Sequence, residues 1–189
     1  MNQKEKMTQD LLSEIDGFYM NLVYIKDLID VEAHISNNSS VNQKSPNFSM
    51  IVQCALVDSY ILGLMKLYDK SESAKTIPNL IEKCKKNTTL FRNPEEVETQ
   101  LEKFEKELKC DEFITQAISV LRVRRDGYHV HNDKKYFGVK ITNDQSHLPM
   151  YCIWMLKNFS EKVLSYLWGQ LTEKECRKTK YDNDLDNLL

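Results

Sequence analysis

The sequence predicts an all-α fold, a helical bundle of four main helices plus one or two short helices. Glycine and proline are scarce, with 5 and 4 copies among 189 residues, and this leaves few positions for tight turns. Apolar residues also recur at intervals of three and four along several long segments, which is the spacing of one helix face. We therefore expect a single helical domain over residues 1–175, followed by a polar C-terminal tail over residues 176–189.

An amphipathic stripe predicts a long first helix over about residues 5–35. The apolar members of the stripe are Met7, Leu11, Ile15, Phe18, Leu22, Ile25 and Ile29. The polar cluster at 36–47 is rich in Ser and Asn, which predicts a loop. From 48 to 68 apolar side chains occur around the whole helical circumference, and this pattern indicates a central, buried helix.

Start signals predict the remaining helices. Proline is tolerated in the first turn of a helix, so Pro78 predicts a short helix over 78–85. The Asn-Pro-Glu-Glu run at 93–96 starts another, because acidic residues suit a first turn. Asp111 is placed to cap a further helix that leads into a basic segment. Residues 138–147 are predicted to form a loop or at most a short extended piece, and Pro149 is predicted to open the last helix.

The number and spacing of the cysteines and the polarity of the chain limit the class of protein to which it can belong. The five cysteines are odd in number and show no Cys-x-x-Cys spacing, which argues against a disulfide framework or a structural zinc site. The start of the chain is too polar for a signal peptide. The longest apolar runs are about six residues, far short of the roughly 20 that span a bilayer. We expect a cytoplasmic protein without membrane contact, metal or cofactor.

The segment 121–138, LRVRRDGYHVHNDKKYFG, carries the candidate chemistry. Arg125 and Asp126 followed by His131 form an Arg-polar-x4-His pattern. A guanidinium can hold a phosphate and an imidazole can move protons near neutral pH, so this set suits RNA cleavage without a metal. The same segment supplies further candidates for support or RNA binding: Arg122, Arg124, Tyr128, His129, Asn132, Lys134 and Lys135.

Two alternatives stay open on spacing alone. A helix C-terminus attracts Arg and Lys through its dipole, which would explain the basic residues without function. On an unbroken helix Arg125 shares a face with His129, whereas a helix end at Gly127 would let His131 fold back toward Arg125. The net charge of −2 means that any contact with RNA has to come from this local cluster.

A carboxylate on the central helix is a further candidate. Asp58 interrupts the apolar stripe formed by Ile51, Cys54, Leu62 and Met65. A buried charge is costly unless it is paired, so we expect an arginine of the basic segment as its partner. The alternative is that Asp58 faces a groove or solvent.

Two blocks of this sequence resemble a known superfamily. The central-helix block ALVDSYILGLMKLYDKSESAKTIPNLI (55–81) and the later block RRDGYHVHNDKKYF (124–137) are similar to HEPN domains (higher eukaryotes and prokaryotes nucleotide-binding), in particular the abortive-infection AbiU-like branch. The resemblance implies a HEPN-like helical bundle. It further implies a metal-independent endoribonuclease or toxin in phage defence, whose two protomers form one composite cleft in a homodimer.

The resemblance also implies residue roles. Arg125 would hold the scissile phosphate, Asp126 would orient the arginine or the histidine, and His131 would be the general acid or base for attack by the ribose 2′-hydroxyl. His129 departs from the expected pattern. Two further hypotheses remain. One is a non-catalytic module that binds nucleotide, RNA or a nucleotidyltransferase partner acting as antitoxin, and the other is a structural helical adaptor.

Overall fold

The computed structural model describes residues 2–69, 71–124 and 149–173, and these residues form helices and connections without a strand. The helices are α1 (Gln3–Asn37), α2 (Ser39–Lys44), α3 (Pro46–Leu67), α4 (Ile77–Lys85), α5 (Pro94–Cys110), α6 (Glu112–Arg124) and α7 (Met150–Leu171), with a 3-10 turn at Thr88–Leu90. The all-α prediction is confirmed. The predicted loop at 138–147 and the predicted tail at 176–189 lie outside the described residues.

The most extensive contact between described helices is that of α1 with α3, which pack as an antiparallel hairpin. The capping box between Asn2 and Glu5 starts α1, since the Glu5 amide donates to Asn2 Oδ1 at 2.8 Å and the Asn2 amide donates to Glu5 Oε2 at 2.9 Å. Gly63 lets the helices approach closely, because a Cβ at this position would lie 2.7 Å from Ile25 Cγ1. The stripe that predicts α1 is buried from Leu11 to Ile29, whereas its first member, Met7, is 40% exposed.

The prediction of a loop over 36–47 was wrong in part, since these residues include the short helix α2. The side-chain Nδ2 of its Asn42 donates to the carbonyl oxygens of Ile35 and Ser36, each at 3.2 Å. The Ser49 hydroxyl in turn donates to Asn42 Oδ1. Side chains of the Asn and Ser types favour turns and helix ends, and here they close the connection between α1 and α3 through one short helical turn.

The prediction that α3 is buried throughout was also wrong, because only its second half lies in the core. Tyr60, Leu64 and Leu67 are almost inaccessible, whereas Phe48 is 66% exposed and Ile51 is 64% exposed. The reason is geometric: α7 begins at Met150, which meets α3 at the level of Tyr60, and the first half of α3 extends beyond it.

By length and composition, α3 is the one helix in the described ranges that could cross a membrane. Core helices of soluble proteins have the same composition, so this observation is weak evidence for a membrane span. The second half of α3 packs against α1 and α7.

The other half of the molecule is built around α7. Phe104 of α5 packs edge-on against Phe159 and Tyr166 of α7, with ring centroids 6.1 and 5.8 Å apart. The Arg92 amide, just before α5, donates to the Gln170 carbonyl near the end of α7 at 3.3 Å. Helices α5 and α7 are therefore antiparallel, and α6 then packs against α7, α5 and α3.

Candidate functional site

Helix α6 leads into the predicted motif and is firmly anchored. Asp111 Oδ1 accepts hydrogen bonds from the amides of Phe113 and Ile114, each at 3.0 Å, so the predicted cap is confirmed. Ile114, Ala117 and Leu121 are buried, with exposed fractions of 3% or less. The described part of the helix runs to Arg124, so α6 leads directly up to the predicted motif.

Most of the predicted site lies outside the described residues. These positions are Arg125, Asp126, Tyr128, His129, His131, Asn132, Lys134 and Lys135. Arg124 is described as the last residue of α6. The choice between His129 and His131 therefore remains a prediction, and Arg122 and Asp58 are the candidates whose surroundings can be described.

Arg122 is half-buried and lines a groove of about 550 Å³ between α4, α5 and α6. Apolar side chains from all three helices line it, including Ile81, Leu108 and Ile118. Its lining includes Arg122 on α6 and Lys85 on α4. The groove thus joins an apolar surface to cationic groups, one turn of helix before the motif.

An ion-pair cluster forms one side of this groove. The carboxylate of Glu105 accepts hydrogen bonds from Lys109 and from Lys85, which joins α5 to α4. The hydrogen bond from Lys109, together with that from Lys85, lowers the pKa of Glu105 to about 2. Glu105 therefore stays ionised throughout the neutral range and offsets part of the positive charge at the groove.

Asp58 lies at the boundary between the two halves of α3. It is half-buried, as are the following residues Ser59 and Leu62, while Ile51 and Cys54 on the same predicted stripe are exposed. The stripe is therefore not a continuous buried face, which corrects that part of the prediction. Helix α3 contacts α6, and an ion pair between Asp58 and an arginine of the motif stays a prediction.

The comparisons with known proteins decide the family. The family model HEPN_AbiU2, described as AbiU2, matches residues 7–186. This match covers nearly the whole chain, including both blocks that carry the resemblance and the complete motif. The chain belongs to the AbiU2 family of HEPN domains. No curated protein and no solved structure matches it.

Two anchoring groups in this HEPN domain were missed by sequence reasoning. The hydroxyl of Tyr68, at the end of α3, donates to the Leu156 carbonyl and shares a hydrogen bond with Ser160, both at 2.7 Å. Burial raises the pKa of Tyr68 well above its ordinary value. The tyrosine thus stays neutral and connects α3 to α7. No local sequence pattern predicts these hydrogen bonds, because their partners lie far apart in the sequence.

Lys157 is the second such group, a lysine on α7 that is only 5% exposed. Its ammonium pairs with Glu161 at 2.8 Å and lies 5.3 Å from the ring centroid of Trp154. The spacing of four residues between Lys157 and Glu161 is a signal that could have indicated the pair. Together these contacts hold Trp154 at the surface of the HEPN domain near the start of α7.

Proposed function

We propose that this HEPN domain is a metal-independent endoribonuclease that acts as a toxin in abortive phage defence, with its cleft shared by two protomers. The observation that carries the proposal is the AbiU2 family match over residues 7–186, which includes Arg125, Asp126 and His131. The anchored helix α6 also supports the proposal, because the motif follows directly on it in the sequence.

The proposed reaction is an attack by the ribose 2′-hydroxyl on the neighbouring phosphorus. His131 removes the hydroxyl proton or protonates the leaving 5′-oxygen, and an ordinary histidine pKa of about 6.5 suits both steps. Arg125 holds the phosphate and stabilises the charge that develops on it. Asp126 orients either Arg125 or His131. The O2′–P bond forms as the P–O5′ bond breaks, and the products are a 2′,3′-cyclic phosphate and a 5′-hydroxyl.

The groove at Arg122, three residues before the motif in the sequence, supports the proposed contact with RNA. The chain has a net charge of −2, so binding to phosphates has to come from local cations. Lys85 and Arg122 lie at this groove with an apolar surface between the helices. We propose that the strand entering the cleft passes here, where bases contact the apolar wall and phosphates contact the cations.

The first experiment is RNA cleavage by the purified protein in excess EDTA. We expect cleavage by the unchanged protein, and a loss of rate of at least about 100-fold in Arg125→Ala and in His131→Ala, because each removes a group that acts in the transition state. His34→Ala is the matched control, since it removes a histidine from α1 and should leave the rate unchanged. Helical circular dichroism should be the same in all four proteins.

Two outcomes would overturn the assignment. Full activity in His131→Ala would show that this imidazole is not the acid or base, and His129→Ala would then be the informative variant. If the unchanged protein binds RNA without cutting it, the catalytic proposal fails, and the result supports the alternative of a non-catalytic RNA-binding module.

A further inference from the structure

The groove between α4, α5 and α6 is both apolar and positively charged, and we call it the α4–α5–α6 groove. Its apolar lining comes from all three helices: Pro78, Ile81, Leu108 and Ile118. Its charged lining has four cations and two carboxylates: Lys85, Lys86, Lys109, Arg122, Glu82 and Glu105. The surplus of positive charge beside an apolar wall suits an acidic ligand that also carries apolar side chains.

The lysines at the rim of this groove can accept further anionic partners. Lys109 and Lys85 share the carboxylate of Glu105, each at 2.5 Å, and Lys86 pairs with Glu82 at 2.6 Å. An ammonium group has three N–H donors, so one carboxylate does not use up its capacity. The side chains of Lys86 and Lys109 are also 70% and 69% exposed. Their ammonium groups are therefore accessible to a ligand that approaches from solvent.

A second groove, between α1 and α4, lacks this combination. Its charged lining is balanced, with three lysines and three glutamates: Lys75, Lys83, Lys86, Glu14, Glu72 and Glu82. The apolar side chains in its lining are those of Ala74 and Leu80. An acidic segment with several large apolar side chains is therefore expected to prefer the α4–α5–α6 groove.

The chain itself contains a segment with the matching chemistry, YDNDLDNLL at 181–189. It carries three aspartates and neither lysine nor arginine. Leu185, Leu188 and Leu189 follow the spacing i, i+3, i+4, which is typical of the apolar anchors of a segment that binds in a groove. At the same spacing Asp184 and Asp186 flank the leucines on either side. The pattern predicts an apolar stripe with acidic edges.

The end of α7 lies close enough for this segment to reach the groove. Glu173 Oε1 is 3.6 Å from Arg92 Nη2. Arg92 follows Lys86 by six residues, which span at most about 20 Å. Asp182 follows Glu173 by nine residues, which extend up to about 30 Å. The acidic segment can therefore reach the groove of its own chain.

We propose that the segment 181–189 docks in the α4–α5–α6 groove of its own chain and covers it. The three leucines contact the apolar wall, and the carboxylates of Asp184 and Asp186 pair with lysines at the rim. RNA that binds in this groove has to displace the segment, because phosphates and carboxylates compete for the same cations. This regulatory consequence rests on the proposed function, whereas the docking itself does not.

The test is cross-linking of the full chain with a carbodiimide, which joins a carboxylate directly to a lysine amine that it contacts. Trypsin cleaves after Lys180, so 181–189 is released as one peptide that holds the three aspartates. We expect mass spectrometry to find this peptide linked to Lys85, Lys86 or Lys109. In a mixture of unlabelled and isotope-labelled protein, both halves of each linked pair should come from the same kind of chain.

Leu185→Ser combined with Leu188→Ser removes two apolar anchors and leaves every charge in place. The yield of these cross-links should fall at least about fivefold, because burial of leucine side chains contributes to docking. The affinity for a labelled RNA, measured by fluorescence anisotropy, should rise at least about threefold as the groove becomes free. Cys176→Ser is the matched control within the same tail, and it should change neither value. Helical circular dichroism verifies that each variant folds.

Several results would overturn the docking within one chain. These are the absence of links to the three groove lysines, equal yields for lysines elsewhere such as Lys4, linked pairs of mixed isotopic composition, or a yield that the double leucine variant does not change. An unchanged RNA affinity in that variant would overturn the regulatory role. A protein that cross-links as expected but cuts no RNA would leave the docking standing and refute the proposed function, whereas RNA cleavage without the cross-links would do the reverse.

Discussion

Glu105 shows how single charged residues shape the region beside the motif. Its carboxylate joins Lys109 of its own helix to Lys85 of α4, and both partners are partly exposed. Pairs of this kind contribute little energy each, because solvent screens them. Their larger effect is positional, since they hold α4 against α5 at the groove lined by Arg122.

The lowered pKa of Glu105 makes a prediction about pH. A carboxyl whose folded pKa is about 2, below its unfolded value of about 4.3, stabilises the fold fully above the unfolded pKa and loses that contribution as the pH falls toward 2. Since Glu105 is about a third exposed, we expect less than about 1 kcal/mol. Thermal melts of the unchanged protein and Glu105→Gln should differ at pH 6 and converge near pH 2. A difference in melting temperature that stays constant from pH 6 to pH 2 would contradict this dependence of stability on the ionisation of Glu105.

At the scale of the elements, helix starts could be predicted because their signals are local. Pro78, Pro94 and Asp111 each lie within one turn of a helix start in the structure, as expected from capping and from the fixed φ of proline. The partial exposure of α3 could not be predicted. Apolar residues around a whole helix indicate that it is covered, but they do not show whether the cover comes from the same chain.

The candidate site likewise has one part that the sequence predicts and one part that depends on tertiary packing. The motif from Arg125 to His131 is a local pattern, so the sequence alone was enough to propose it. The groove at Arg122 depends on Ile81 and Leu108, which belong to other helices and reach α6 only through tertiary packing. Such a surface has no signature in any single segment.

The close contact between α1 and α3 gives a prediction for this scale. Gly17→Ala places a methyl in open space on α1 and should stabilise the protein by about 0.5–1 kcal/mol through helix propensity. Gly63→Ala gains the same propensity but forces a Cβ within 2.7 Å of Ile25 Cγ1. Overpacking costs about 1–3 kcal/mol, so Gly63→Ala should be clearly less stable than Gly17→Ala in urea unfolding. Equal stabilities of Gly17→Ala and Gly63→Ala would contradict the close approach of α1 and α3 at Gly63.

At the scale of the whole molecule, a buried core between the helices occurs together with exposed apolar side chains on α3. The core is formed by α1, α4, α5, α6, α7 and the second half of α3, whereas several apolar side chains in the first half of α3 are exposed.

The chemistry of the RNA ends tests the central claim most directly. The purified protein is incubated with a labelled RNA in excess EDTA, and the termini of the fragments are identified by mass spectrometry. We predict fragments with 2′,3′-cyclic phosphate and 5′-hydroxyl ends, formed at a rate that falls at least about 100-fold in His131→Ala. Intact RNA, or fragments with 3′-hydroxyl and 5′-phosphate ends, would contradict attack by the 2′-hydroxyl.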